Sequence, residues 1–241
     1  MACSPWSRMA VAVAAAMVGL VVAAPRVVDA QAYNYPSMQT PRASTRDYTA
    51  GIVGGAGSTF LFQWREGLSK TLHWQIDAGF ADPEGGVDPL FFVGGSLGKE
   101  LTRARADQPL DMLLTVGAGA AFGGNATVFR LPVGISVGHT FDLEEGMTIT
   151  PFVHPRLSVD ACGRCGSNTT SRSNLSANFD LGAHWQVNRQ FGVRASASFS
   201  GSDLVGTDET VAIGFSWSKS RPSVWSPLAR KRSSTSRSML S

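Results

Sequence analysis

Cys162-Gly163-Arg164-Cys165 places two thiols two residues apart, a spacing that suits a redox pair, half of a zinc site or a local disulfide. A redox pair of this kind sits in a βαβ setting, and a tetrahedral zinc needs a second pair of ligands. The surrounding sequence offers neither, so no metal and no cofactor is expected. In an oxidising compartment the plain reading is a disulfide between Cys162 and Cys165, pinning the base of the polar loop CGRCGSNTTSRSN. The four histidines, His73, His139, His154 and His184, lead into HWQ, HTF, HPR and HWQ. Hydrolysis would need a nucleophile beside one of them, and neither G-x-S-x-G nor H-E-x-x-H occurs. Ordinary buried or rim histidines are expected, and no enzymatic activity.

The remaining chemistry is charge. Arg130, Arg156 and Arg194 fall on polar rows of alternating segments, as do Asp77, Asp111, Asp160 and Asp180. Unpaired charges are costly in a low-dielectric interior, so these residues are expected to form Arg–carboxylate pairs that bridge strands. Such a network could gate an ion path or simply hold the interior rigid. The second is favoured if a small barrel encloses it, because side chains fill such a barrel.

The elements that must position these groups are strands. In LSANFDLGAHWQVN, residues 175–188, apolar and polar residues alternate without a break, the period of a strand with one face of each kind. Similar alternation runs through Leu72–Phe80, Leu110–Phe122, Phe129–Gly138, Thr148–Asp160, Phe191–Ser200 and Val211–Trp217. Gly, Pro, Asp and Asn clusters separate the segments, and no helix pattern follows the N-terminal leader. Assigning links to alternate sides, with Arg65–Lys70 read as a periplasmic link, divides TAGIVGGAGSTFLFQW into two short strands. Ten strands result, with both termini periplasmic; eight result if one weak segment lies outside.

Composition sets the rest of the organisation. Arg8 and the apolar run Met9–Ala24, followed by Val28-Asp29-Ala30, read as a cleaved signal peptide over 1–30. Residues 31–47 read as an N-terminal linker, 48–218 as the barrel and 219–241 as a basic disordered tail. The tail carries six Lys or Arg and no acid, whereas residues 31–218 hold 13 basic and 17 acidic residues. The basic balance therefore belongs to the tail, no nucleic-acid partner is expected, and the tail's own partner is left open.

The polar rows decide which face looks inward. They are mainly Ser, Gly, Asn, Gln and Thr, with only Lys70 and Lys99 as lysines in the body. A water-facing row would welcome long charged side chains, whereas a crowded lumen favours small polar ones. Trp64, Trp74, Phe80, Phe141, Trp185, Phe191 and Trp217 lie near strand ends on the apolar rows, as interfacial girdles require.

With segments such as FGVRASASFS and ETVAIGFSW, the chain over about residues 46–218 resembles the small bacterial outer-membrane β-barrel proteins. The resemblance implies an all-β, antiparallel up-and-down transmembrane barrel located in the outer membrane and in contact with its lipid. Val211, Ile213, Phe215 and Trp217 look like that family's terminal signal for the barrel assembly machinery, although 24 residues follow Trp217. The implied role is non-enzymatic, supporting envelope structure or presenting surface loops. A narrow solute channel is the alternative. A barrel lipid hydrolase is less favoured, because the His-x-Ser pair of the lipid A deacylase barrels is missing. A soluble periplasmic ligand-binding barrel is the structural runner-up.

Overall fold

The computed structural model describes residues 35–55, 57–83, 88–123, 126–163, 172–202 and 206–219. The strands are β1 (Arg46–Gly54), β2 (Gly57–Gly67), β3 (Leu72–Pro83), β4 (Leu90–Thr102), β5 (Asp111–Gly123), β6 (Ala126–Gly138), the two-residue β7 (Phe141–Asp142), β8 (Thr148–Gly163), β9 (Arg172–Gln186), β10 (Phe191–Ser202) and β11 (Gly206–Ser218). Each long strand pairs antiparallel with its chain neighbours. β6 pairs with β8 past the short β7, and β1 pairs with β11. The result is a closed antiparallel barrel of ten staves, with both ends of the wall on one rim. This is the ten-strand arrangement that the link pattern implies, including the division of the first segment into β1 and β2. Closure leaves no free sheet edge, the condition for strands surrounded by hydrocarbon.

Alternation turns one row of each strand inward. On β2, Phe60, Phe62 and Trp64 face out while Thr59, Gln63 and Arg65 are buried. Arg65 therefore does not belong to a link: β2 runs to Gly67, the connection to β3 is residues 68–71, and Arg65 is fully buried. Long and short connections also do not segregate cleanly. The eight residues between β4 and β5 form an ordered turn on the rim of the termini, where Arg105 and Gln108 exchange backbone hydrogen bonds. β8 and β9, at 16 and 15 residues, are the longest staves and exceed the nine to eleven or so that a tilted crossing needs.

Three places disturb the ladders of the described strands: a register shift between Glu100 and Thr102 in the β4–β5 pairing, and two gaps at prolines. Between β5 and β6 the pairing stops after Val116–Val133 and resumes at Gly119–Arg130, with Pro132 in the gap. Between β6 and β8 it stops after Gly134–Arg156 and resumes at Val137–Val153, with Pro155 in the gap. Proline has no N–H to give to a facing carbonyl, so a ladder containing it loses bonds there.

Candidate functional site in the barrel lumen

The region expected as a linker, over its described part, passes through the inside of the barrel. Pro36, Ser37, Met38, Gln39, Thr40 and Pro41 are all buried, and the chain leaves the lumen at Arg42–Thr45 to enter β1. The wall opposite this segment is built from small residues. Gly94, Ser96, Gly117, Gly119 and Gly134 alternate with outward apolar side chains on β4, β5 and β6, which leaves width for a second chain. Beside the segment lies a cleft of about 70 Å³, lined in part by Tyr35, Ser37, Asp77, Thr115, Pro132 and His154. That volume holds several water molecules.

Arg65 is the hub of the lumen. Its Nε donates to Gln75 Oε1 at 2.5 Å and its Nη1 to Asp47 Oδ1 at 3.2 Å. Its Nη2 donates to Gln63 Oε1 at 2.9 Å and to the carbonyl oxygens of Ser37 and Met38. Asp47 also accepts from Arg194 Nη2 at 2.9 Å, so one carboxylate serves two guanidiniums. On the other side Gln75 donates to Asp77 at 2.7 Å, and Tyr35 adds a longer hydrogen bond to the same carboxylate. Asp47, Arg65, Gln75 and Asp77 are cross-strand neighbours or next to them in the register of β1, β2 and β3. Two Arg and two Asp thus form one connected, charge-balanced group.

The other expected residues pair as well. Arg130 meets Asp160 directly opposite it, through two hydrogen bonds of 2.8 and 2.9 Å. Arg156 reaches diagonally to Asp180 at 2.7–2.8 Å. Asp111 finds its cation not on a neighbouring strand but in the internal segment, at Arg42 Nε, 2.8 Å away. On the same rim Glu100 accepts two bonds from Arg103, and this carboxylate raises the already high pKa of the guanidinium. A row of buried polar groups on β9, β10 and β11, at Asn178 Oδ1, Ser198 Oγ, Ser200 Oγ and Thr210 Oγ1, has no hydrogen-bond partner among the described residues. Buried hydroxyls of this kind are satisfied by ordered water.

Three of the four histidines face inward. His73 Nδ1 accepts from the Ser44 backbone N–H, and His184 Nε2 is 3.0 Å from Ser216 Oγ. His154 Nδ1 lies 2.6 Å from Ser37 Oγ and 3.6 Å from Asp180 Oδ2, while Nε2 bonds Thr115 Oγ1 at 2.9 Å. A nucleophilic relay needs serine and carboxylate on opposite ring nitrogens. Here both approach Nδ1, in a site that is nearly closed to solvent. The arrangement anchors the segment through Ser37, while Thr115 Oγ1 holds the opposite ring nitrogen. His139 is half-buried and bonds the Pro109 carbonyl.

Cys162 is disulfide-bonded. Its expected partner Cys165 lies outside the described residues, as do residues 1–34 with the expected signal peptide, and 220–241 of the tail.

Outside, the polarity inverts. Trp217, Tyr48, Trp64 and Trp74 form a continuous aromatic row across β11, β1, β2 and β3, with centroids 4.8–6.1 Å apart. At the other end of the wall, Phe60, Phe80, Phe91 and Phe122 are register neighbours. The band between carries Ile52, Ile76, Val93, Leu97 and Val116, all exposed, and Phe215 is 73% exposed. Fully buried arginines within and an apolar band between two aromatic rows without admit one solvent arrangement: lipid around the barrel. The fold is a transmembrane β-barrel.

No protein-family model and no curated protein matches the chain. Among solved structures, the barrel is similar to the N-terminal β-barrel domain of Pseudomonas aeruginosa OprF, at 10% identity over 73% of this chain and 98% of that one, TM-score 0.38. It is similar to the β domain of the Bordetella autotransporter BrkA, at 9% identity over 72% and 98%, TM-score 0.45. It is also similar to LpxR from Salmonella typhimurium, at 11% identity over 76% and 78%, TM-score 0.42.

Of the seven charges expected on the polar rows, six sit in Arg–carboxylate pairs inside the barrel, and Asp77 instead accepts hydrogen bonds from Gln75 and Tyr35. Sequence reasoning missed Arg65, Asp47, Gln63 and Gln75, and the whole internal segment. For Arg65 a signal existed: it continues the inward row of Thr59, Leu61 and Gln63. For the segment, periodicity held none.

Proposed function

We infer that the protein is a non-enzymatic barrel of the outer membrane that stays closed to solutes and holds its connecting loops at the envelope surface. The observation that carries this reading is the passage of residues 36–41 through the lumen, hydrogen-bonded to wall side chains. Met38 of that segment and Val53, Leu61, Phe92, Ala121 and Ala212 of the wall form an apolar cluster that closes the bore. Hydrated ions do not cross such a seal, because each would shed water without replacement ligands. Assembly of the wall would use Val211, Ile213, Phe215 and Trp217, which line the outer side of the strand that closes on β1.

The cleft beside Asp77 favours the second reading, a narrow path for small solutes. Planar-bilayer recording separates the two: intact protein is expected to give no stable conductance steps, and steady sizeable steps would establish the channel. Cell fractionation tests the location. Recovery in the outer-membrane fraction with a heat-modifiable gel shift is expected, and recovery as a soluble periplasmic protein would remove the membrane reading.

A further inference from the structure

The internal segment is held in an unusual way for a piece of the same chain. Among the described residues, no backbone–backbone hydrogen bond involves residues 36–44. The wall instead offers side-chain donors, and they are aimed at main-chain carbonyls. Gln63 Nε2 and Arg65 Nη2 reach Ser37 O at 3.2 and 3.4 Å, and Arg65 Nη2 reaches Met38 O at 3.3 Å. Ser136 Oγ donates to Gln39 O at 2.7 Å, and Arg156 Nη2 to Tyr35 O at 3.4 Å. These donors come from β2, β6 and β8, so they surround the segment. Carbonyls are common to every residue, so this mode of recognition reads a main chain more than a particular sequence.

The N–H side of the segment is treated differently. Gln39 N–H is met by Ser37 Oγ within the segment. Pro36 and Pro41, both buried, have no N–H that would need an acceptor. The single large apolar side chain, Met38, is fully buried against Val53, Leu61 and Phe92. Its φ of 48° is a left-handed conformation, which the surroundings must hold in place. Wall donors aimed at the segment's carbonyls, a proline at each of its ends and one apolar seat together describe a receptor and its occupant.

We propose that the lumen is a binding site for a single short polypeptide segment, uncharged in its middle and containing proline, with residues 36–41 as its resident occupant. Because no ladder bond joins that occupant to the wall, it leaves and returns while the ten staves stay closed, and a separate peptide of the same kind takes its place. The proposal rests on the closed-barrel reading and adds the nature of what closes it.

Hydrogen exchange on the intact chain in detergent micelles tests the separability. Amides of Ser37, Met38, Gln39 and Thr40 are expected to exchange on the order of 100-fold faster than the inward ladder amides of β2, because local opening precedes global unfolding. Exchange at the ladder rate would show that segment and wall open only together, and would overturn the proposal. A variant lacking residues 35–41 then tests binding, with a fluorescein-labelled peptide of residues 35–43, YPSMQTPRA. Saturable binding to the heat-modifiable variant is expected, and much weaker binding to the intact chain, whose tethered segment competes at high effective concentration. Replacing both peptide prolines by alanine is expected to weaken binding about tenfold, since each adds a buried N–H. A folded variant that ignores the peptide, or binds both peptides alike, refutes the site while leaving a silent intact barrel closed. Should the variant fail to fold, the exchange result on the intact chain decides. Stable conductance by the intact chain instead defeats the closed-barrel reading itself.

Discussion

Replacing Arg65 by alanine is expected to destabilise the barrel by about 3–5 kcal/mol, the range for breaking a buried ion pair from one side. The side chain is 0% exposed and gives hydrogen bonds to Gln75, Asp47, Gln63 and two carbonyls of the internal segment. Its loss leaves those acceptors buried, and water can replace only some of them. Asp47 keeps Arg194, so the wall is expected to survive and the segment to loosen first. The measurement is the temperature at which the compact band converts to the extended one on a gel, run beside intact protein. An unchanged conversion temperature would mean that the hub contributes nothing to closure. Arg65→Lys keeps the charge and loses the planar fork, and should lie between the two.

Asp160→Ala is expected to cost a similar amount, about 3–5 kcal/mol, for a different reason. It removes the counter-charge directly opposite Arg130 and an acceptor of Ser176 Oγ, all on the β6–β8–β9 wall. The double replacement Arg130→Met with Asp160→Leu removes both charges, and it should recover more than half of the loss. The cycle of Arg130→Met, Asp160→Leu and the double variant, read by urea unfolding in micelles, checks this. If the double variant is as unstable as the sum of its parts, the pair is not acting as a unit. Both predictions concern rigidity, and together they ask whether the wall or the internal segment depends more on the arginines.

Much of the wall was legible because alternation is a direct consequence of strand geometry. LSANFDLGAHWQ lies in β9, with Phe179, Leu181 and Trp185 outside and Asp180 fully inside, and Val187 and Asn188 belong to the turn that follows. The weak first segment divides as the link pattern requires. Arg65 was obscured because REGLSK has the composition of a turn, although its place in the inward row of β2 was available. The internal segment was hidden for a deeper reason. YPSMQTPR has no period, and a chain held by side chains from several strands leaves none in its own sequence. Its trace is indirect, in the small residues of β4, β5 and β6. Those residues signalled a crowded interior, and the crowding comes from backbone rather than from their own side chains.

The two proline gaps flank one stave. Pro132 interrupts β6 on its β5 side and Pro155 interrupts the β8 side. Treated as a hoop under tension, the barrel carries its circumferential load through ladder bonds, and β6 is the stave whose ladders are broken by proline on both sides. Lateral pressure from the bilayer, or a change in what fills the bore, meets missing ladder bonds at these two breaks. Pro132 borders the water-sized cleft, so movement there changes the volume available inside. The give in the hoop and the room in the bore are the same place.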